Sequence, residues 1–324
     1  MTDPLLRFRS EFPILDSTTY LVSNSLGAMP RAVPERLLEY ANEWATRGVR
    51  AWAQGWWEMP VAVGDEIAPL IGAWPGEVAM VPTVSGAQAQ VLSALEYSPG
   101  RDAIVMSALD FPSVRYVYDG LATRLGARIV VVPSEDGMGV EEDRLIDAID
   151  ERTRLVAISH VLFRSAHVMD VARICARAHE VGALVSLDAY HSVGVLPVDV
   201  RALGVDFLTG GVLKWLCGGP GGCFLWVRPE LGTTLAPALT GWQAHRHPFA
   251  FAPEMEYAEG AWRWLAGTPV IPALYAATAG PRILREAGIE AIRAKSTRQT
   301  SRLIELADAS GFTVRAGSMM FAAA

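Results

Sequence analysis

The chain has 324 residues, 51% of them hydrophobic, and 28 basic against 35 acidic side chains leave a formal charge of -7. Such a composition can close a sizeable core and excludes a disordered protein. No basic stripe or Arg/Lys cluster interleaved with aromatics is present, which argues against a nucleic-acid partner and for small-molecule chemistry. The three cysteines, Cys175, Cys217 and Cys223, lack CxxC spacing and neighbouring histidines. Neither a disulfide framework nor a metal site is indicated, and a reducing cytoplasm is the expected compartment. The opening MTDPLLRFRSEF carries charges where a signal peptide needs an apolar stretch, and no apolar run approaches about 18 residues, so no membrane association is expected.

In chain order, PRAVPERLLEYANEWATRG predicts a helix entered through proline and ended near Gly48, followed by a tryptophan-rich stretch with Trp52, Trp56 and Trp57. From about residue 77 to 227, seven short β-rich runs (VAMVPTV, AIVMSA, RIVVVP, LVAISHV, ALVSLDA, DFLTGG and CFLWVR) alternate for the most part with helical patterns. That alternation predicts an α/β fold with a mostly parallel central sheet flanked by helices. Between two of the runs, Val171 to Val181 puts Val171, Ile174, Cys175 and Ala178 on one helical face and Arg173, Arg177 and Glu180 away from it. An aromatic loop region follows from Trp242 to Trp264, then helices from Pro272 to about Ala309, and the final MMFAAA reads as an interrupted strand.

The chemistry concentrates in LVSLDAYHSVGVLPVDVRALGVDFLTGGVLKWLCGGPGGCFLWVR. A hydrophobic strand ends in Asp188, a second begins near Asp206, and Lys214 sits in a turn before a glycine-rich segment. Alone, the aspartate reads as a helix cap and the lysine as a solvated charge. Together they fit a pyridoxal-phosphate (PLP) site, in which an aspartate keeps the pyridine nitrogen protonated and a lysine carries the cofactor as a Schiff base. Both side chains then leave strand ends at one rim of the sheet, where α/β proteins bind ligands.

These residues resemble the class V aminotransferase family of fold-type I PLP enzymes, and within it the kynureninases. The family spacing is matched by Asp188, His191, Gly194, Pro197, Gly204, Val205, Asp206, Phe207 and Lys214, and His191 stands where cysteine desulfurases usually have Gln. The run Gly218 to Gly222 resembles the kynureninase Ser-Gly-Pro-Gly-Gly. Tyr20-Leu21, Asn24-Ser25-Leu26-Gly27, Phe111-Pro112-Ser113, Ser159-His160-Val161, Gly241-Trp242 and Gly267-Thr268-Pro269 resemble further family segments, so the likeness spans nearly the whole chain.

The resemblance implies a PLP cofactor and a small amino-acid substrate. Residues 1–60 would form an N-terminal segment for a small domain and dimer contacts, 61–270 the large PLP-binding domain, and 271–324 a connecting helix and the start of an incomplete small domain. Thr83, Val84, Ser85 and Gly86 lie between a strand and a helix, where hydroxyls and N–H groups can hold the cofactor phosphate, although Ser or Thr there can equally be a bare N-cap. Phe111 would stack on the pyridine ring, with a buried core Phe as the alternative. His191 would hydrogen-bond near the cofactor's phenolic oxygen. Trp242 and Thr268 would reach the phosphate of the neighbouring subunit in a homodimer with shared sites. Asn24 and Ser25 are candidate substrate contacts.

Three features depart from the kynureninase pattern. Leu213 stands where the family has a tyrosine that contacts the phosphate and moves protons, and Val114 stands where it has an aspartate. The sequence also reaches Arg315-Ala316-Gly317-Ser318, which resembles a segment upstream of the family's carboxylate-binding arginine. Either the substrate-binding half is absent from this sequence, or a substitute comes from Arg164, Arg246 or Arg263, of which Arg263 is preferred because it precedes Gly267-Thr268-Pro269; a planar guanidinium suits a carboxylate. The expected activity is hydrolytic Cβ–Cγ cleavage of kynurenine to anthranilate and alanine. The alternatives are a class V transaminase, an epimerase, a desulfurase-type lyase, or a weakened homologue that binds PLP. A desulfurase ranks low because Cys217 and Cys223 follow Lys214 too closely to ride on a mobile loop, and Cys175 sits on a helix.

Overall fold

The computed structural model describes residues 3–314, so the expected strand at MMFAAA and the segment from Arg315 to Ser318 lie outside the described residues. One sheet contains β1 (Val78–Val81), β2 (Ala103–Ser107), β3 (Arg128–Val132), β4 (Thr153–Ser159), β5 (Leu184–Asp188), β6 (Phe207–Gly211) and β7 (Cys223–Val227). Each strand falls on one of the seven β-rich runs. The order across the sheet is β1-β7-β6-β5-β4-β2-β3. From β3 to β6 all pairings are parallel, whereas β7 runs antiparallel to both β6 and β1. The connection from Gly211 to Cys223 contains no helix. A parallel return needs a crossover that such a connection does not supply, so the chain doubles back.

Every residue of β1, β2, β5, β6 and β7 is buried. Their runs lack polar alternation because helices cover both faces of the sheet. The helix Val171–Glu180 joins β4 to β5 and buries Val171, Ile174, Cys175 and Ala178, the four positions of the apolar face read from the sequence. Its start is fixed by Asp170, whose carboxylate accepts the Arg173 N–H at 3.2 Å. At the far end of the parallel strands the fully buried Asp206 ties three elements together. It accepts the Val185 N–H at 2.7 Å, and pairs with Arg228 at 2.6 Å and with His179 at 3.0 Å.

The proline-entered helix spans Val33–Arg47 and stops at Gly48, whose φ of +54° suits glycine. Beyond it the tryptophan stretch docks on the C-terminal helices: buried Trp56 donates its Nε1–H to the Tyr275 hydroxyl at 3.1 Å, and that hydroxyl donates to Glu43 at 2.7 Å. The helices after the aromatic loop span Ile271–Ala277, Ala279–Ala287 and Ile289–Ala309. Among the described residues no helix is long and apolar enough to cross a membrane.

Candidate active site

Parallel pairing aligns the C-terminal ends of β4, β5 and β6 at one rim, with Ser159 beside Asp188 and Asp188 beside Thr209. The antiparallel strands bring two more positions to that rim, since Cys223 pairs with Gly211 on one side and Val81 on the other. Asp188, Lys214 and Thr83 therefore converge although they are far apart in sequence.

Lys214 follows β6 in a tight turn held from both sides. The Val212 N–H reaches Gly222 O at 2.9 Å, the Gly218 N–H reaches Val212 O at 2.7 Å, and the Cys217 N–H reaches Lys214 O at 3.0 Å. The N-terminal segment closes over the turn, with the Gly27 N–H donating to Leu213 O at 2.8 Å. A Cβ at residue 27 would overlap the Lys214 carbonyl, so this close approach needs glycine. Asn24 and Ser25 are exposed just before that contact and lie outside the cavity lining.

The Lys214 amine points into a cavity of about 340 Å³ lined by Thr83, Val84, Ser85, Phe111, Asp188 and Tyr190, among others. Its Nζ touches His191 Nε2 and lies 5.4 Å from the Phe111 ring centre and 4.9 Å from that of Tyr190. Burial lowers the pKa of the lysine, against the attraction of Asp188. Burial and then the charge of Lys214 push His191 down to about 4, so it is neutral near pH 7. Asp188 is only 6% exposed. Burial raises it to about 6, opposed by the Tyr190 N–H, which donates to Oδ1 at 2.9 Å, and by Lys214. A buried carboxylate of this kind is stabilised most by a cationic group beside it.

At the other end of the cavity Thr83 caps the helix Val84–Ser93, its Oγ1 accepting the Gly86 N–H at 3.1 Å. The Ala87 N–H donates to Thr83 O at 3.1 Å and the Val84 N–H approaches the Cys223 sulfur, which leaves the Ser85 N–H and the positive end of the helix to face an anion. This helix is locked to the sheet by buried Gln88, which donates to Thr209 Oγ1 at 2.9 Å and accepts from Tyr118 at 2.8 Å and Ser186 at 3.3 Å. Beneath Asp188, buried Asp110 accepts the N–H groups of Ser159 at 2.8 Å and Ser107 at 2.9 Å. Burial raises Asp110 to about 7 against those bonds, and the charge of Asp188 adds to the rise.

Other residues singled out from the sequence are not brought into this cavity. Arg263 lines a different one, and its guanidinium donates to backbone carbonyls of Leu235 at 2.7 Å, Ala258 at 3.2 Å and Thr233 at 3.4 Å. Arg246 pairs with Glu256 and Glu259. Arg164 lies 5.3 Å over Phe163, whose ring meets the lining residue Phe111 edge-on at 5.1 Å. Trp242 is 44% exposed and Thr268 is exposed. Trp242 joins Trp57, Phe249 and Phe251 in an aromatic patch. Tyr190, Asp110 and Gln88 were missed from sequence. Tyr190 had a signal, since it lies inside the Asp188–His191 window.

A pocket with an amine, a buried carboxylate and a capped helix start, at the C-terminal rim of a parallel sheet, has the donor set of a fold-type I PLP site. The family model described as Aminotransferase class-V matches residues 19–319. The chain belongs to the class V aminotransferase family. A kynureninase from Pseudomonas fluorescens is 35% identical over 318 residues, covering 94% of this chain and 74% of its own. In fold, the chain is similar to an apo cysteine desulfurase from Thermococcus onnurineus NA1, with a TM-score of 0.82 at 24% identity over 97% of this chain and 80% of that one. It is also similar to a variant of C-DES that has glycine covalently linked to its PLP cofactor, with a TM-score of 0.83 at 21% identity over 92% and 79%. The cofactor is pyridoxal phosphate.

Proposed function

We propose that this PLP-dependent enzyme hydrolyses kynurenine to anthranilate and alanine, with Lys214, Asp188 and His191 as its catalytic residues. The observation that carries the proposal is the convergence of Asp188 and Lys214 in one cavity, with His191, the kynureninase-type residue, in contact with the Lys214 amine. Similarity to a kynureninase over 94% of the chain supports the same reaction class.

Bound PLP supplies an electron sink for charge developing at the substrate's α-carbon. Asp188 holds the proton on the pyridine nitrogen; its burial makes a cationic partner worth more than in water. Lys214 is the attachment point and takes the α-proton, a role helped by its lowered pKa. Neutral His191 orients the lysine and hydrogen-bonds the cofactor's phenolic oxygen. Phe111 covers the ring, and Thr83, Val84 and Ser85 hold the phosphate. Leu213 provides no proton donor beside the lysine. Among the described residues no thiol is a reactive thiolate: burial pushes Cys175 and Cys217 up to about 12 and Cys223 up to about 11.

The functional unit in this reading is a homodimer, in which Trp242 and Thr268 serve the partner's phosphate end. The exposed aromatic patch around Trp242, with Phe251 74% exposed, supports a covered face. Appearance of anthranilate fluorescence on adding kynurenine tests the activity. No anthranilate from PLP-loaded protein, with proton exchange or amino transfer on another amino acid, would move the assignment to an epimerase or transaminase.

A further inference from the structure

Tyr190 brings a phenol into the Lys214 cavity, and neighbouring strands fix where its hydroxyl stands. The ring rests against Gly211, where a Cβ would overlap both ring and hydroxyl, so the recess exists only because residue 211 is glycine. The hydroxyl faces the Cys223 sulfur at 3.9 Å. Cys223 pairs with Val81, two residues before Thr83, and its sulfur is also approached by the Val84 N–H. The phenol oxygen therefore stands at the end of the cavity where the helix Val84–Ser93 begins, while Phe111 occupies another flank of Lys214. Sulfur at this distance is a weak partner, so most of the hydroxyl's hydrogen-bonding capacity is unspent. Burial above all, with Cys223 and Asp188, pushes the phenol's pKa up, and the group keeps its proton at neutral pH.

We propose that Tyr190 is a cofactor-binding residue whose hydroxyl donates to the phosphate of PLP beside the start of the helix Val84–Ser93. The proposal rests on the reading that the phosphate lies at this helix start, and it adds a side-chain donor to the Ser85 N–H there. A neutral phenol donating to an anionic oxygen forms a charge-assisted bond, the stronger class of hydrogen bond. The same geometry gives Gly211 a function, since it makes the space that holds the phenol against the phosphate end.

The test compares binding of PLP and of pyridoxal, the same aldehyde without phosphate, to apoprotein by equilibrium dialysis. Tyr190→Phe keeps the ring in its recess and deletes only the donor. It should raise the Kd for PLP about 10- to 100-fold and change that for pyridoxal by less than about twofold. Gly211→Ala, which displaces the ring without removing the hydroxyl, should give the same phosphate-selective loss, and the phosphorus resonance of bound PLP should shift in both variants. Ser85→Ala serves as the control for the phosphate position. A selective loss in Ser85→Ala with none in Tyr190→Phe overturns the assignment of Tyr190 alone. No selective loss in any variant overturns the phosphate position and the proposal with it. Equal weakening of PLP and pyridoxal by Tyr190→Phe also overturns it, because the residue would then act through packing.

Discussion

Asp188→Asn replaces a buried carboxylate by a neutral group of the same shape, and its effect should reverse between the cofactor-free and the loaded protein. Without cofactor, burial raises Asp188 from its ordinary 3.8 to about 6, against the Tyr190 N–H and the charge of Lys214. The folded state thus holds this proton more tightly than the unfolded chain. The group's contribution to stability is full below about pH 4 and is lost as the pH rises through about 6. At about 1.4 kcal/mol per pH unit, that interval corresponds to about 3 kcal/mol. Asp110 titrates in the same range in both proteins, and removing the neighbouring charge relieves it slightly, in the same direction. Urea denaturation of apoprotein should therefore show the advantage of Asp188→Asn over wild type growing by about 3 kcal/mol between about pH 4 and pH 8. The loaded variant should retain PLP but lose most turnover, since a neutral amide cannot hold the pyridine proton. A stability difference that does not change with pH, or undiminished turnover, would refute this account of the carboxylate.

Three further outcomes are expected. Leu213→Tyr restores a phenol beside the lysine and should raise kynurenine hydrolysis by up to about 100-fold, the lower range for one general acid or base; an unchanged kcat would show that this phenol is dispensable here. Asp206→Ala orphans the buried Val185 N–H and removes a partner of Arg228 and His179, whose side chains reach solvent, and should cost about 1–3 kcal/mol in denaturant melts while the PLP absorbance of the folded fraction is preserved. Substituting Trp242→Ala together with Phe251→Ala should shift sedimentation from dimer toward monomer and weaken PLP retention, and a stable, fully loaded monomer in the wild type would contradict the shared site.

The strands were legible because both faces of the sheet are covered, so each reads as a short continuous apolar run such as AIVMSA or CFLWVR. Asp188 and Lys214 stand out only together, through the family-like spacing from Asp188 and His191 to Lys214, since alone each reads as a cap or a solvated charge. The antiparallel direction of β7 was not, since it follows from the helix-free connection after Gly211 and not from the residues of the strand. Gln88 was invisible for a different reason: a glutamine in a helix looks solvent-facing until Tyr118, Ser186 and Thr209 are folded around it. Arg263 precedes a family signature, yet its donors go to three backbone carbonyls of its own loops, a commitment that only tertiary structure reveals. Among the carboxylate-binding candidates, Arg164 is linked to the lining residue Phe111 through the ring of Phe163.

The central claim is that Lys214 carries the cofactor, and the chain allows an unusually clean test because it contains two lysines, Lys214 and Lys295. Lys295 lies on the helix Ile289–Ala309 and pairs with Asp3 at 3.0 Å. Borohydride reduction of the PLP-loaded protein, followed by proteolysis and mass spectrometry, should place the reduced cofactor on the peptide containing Lys214, and Lys214→Ala should abolish the adduct. Label on the Lys295 peptide, or an adduct that survives Lys214→Ala, would contradict the account.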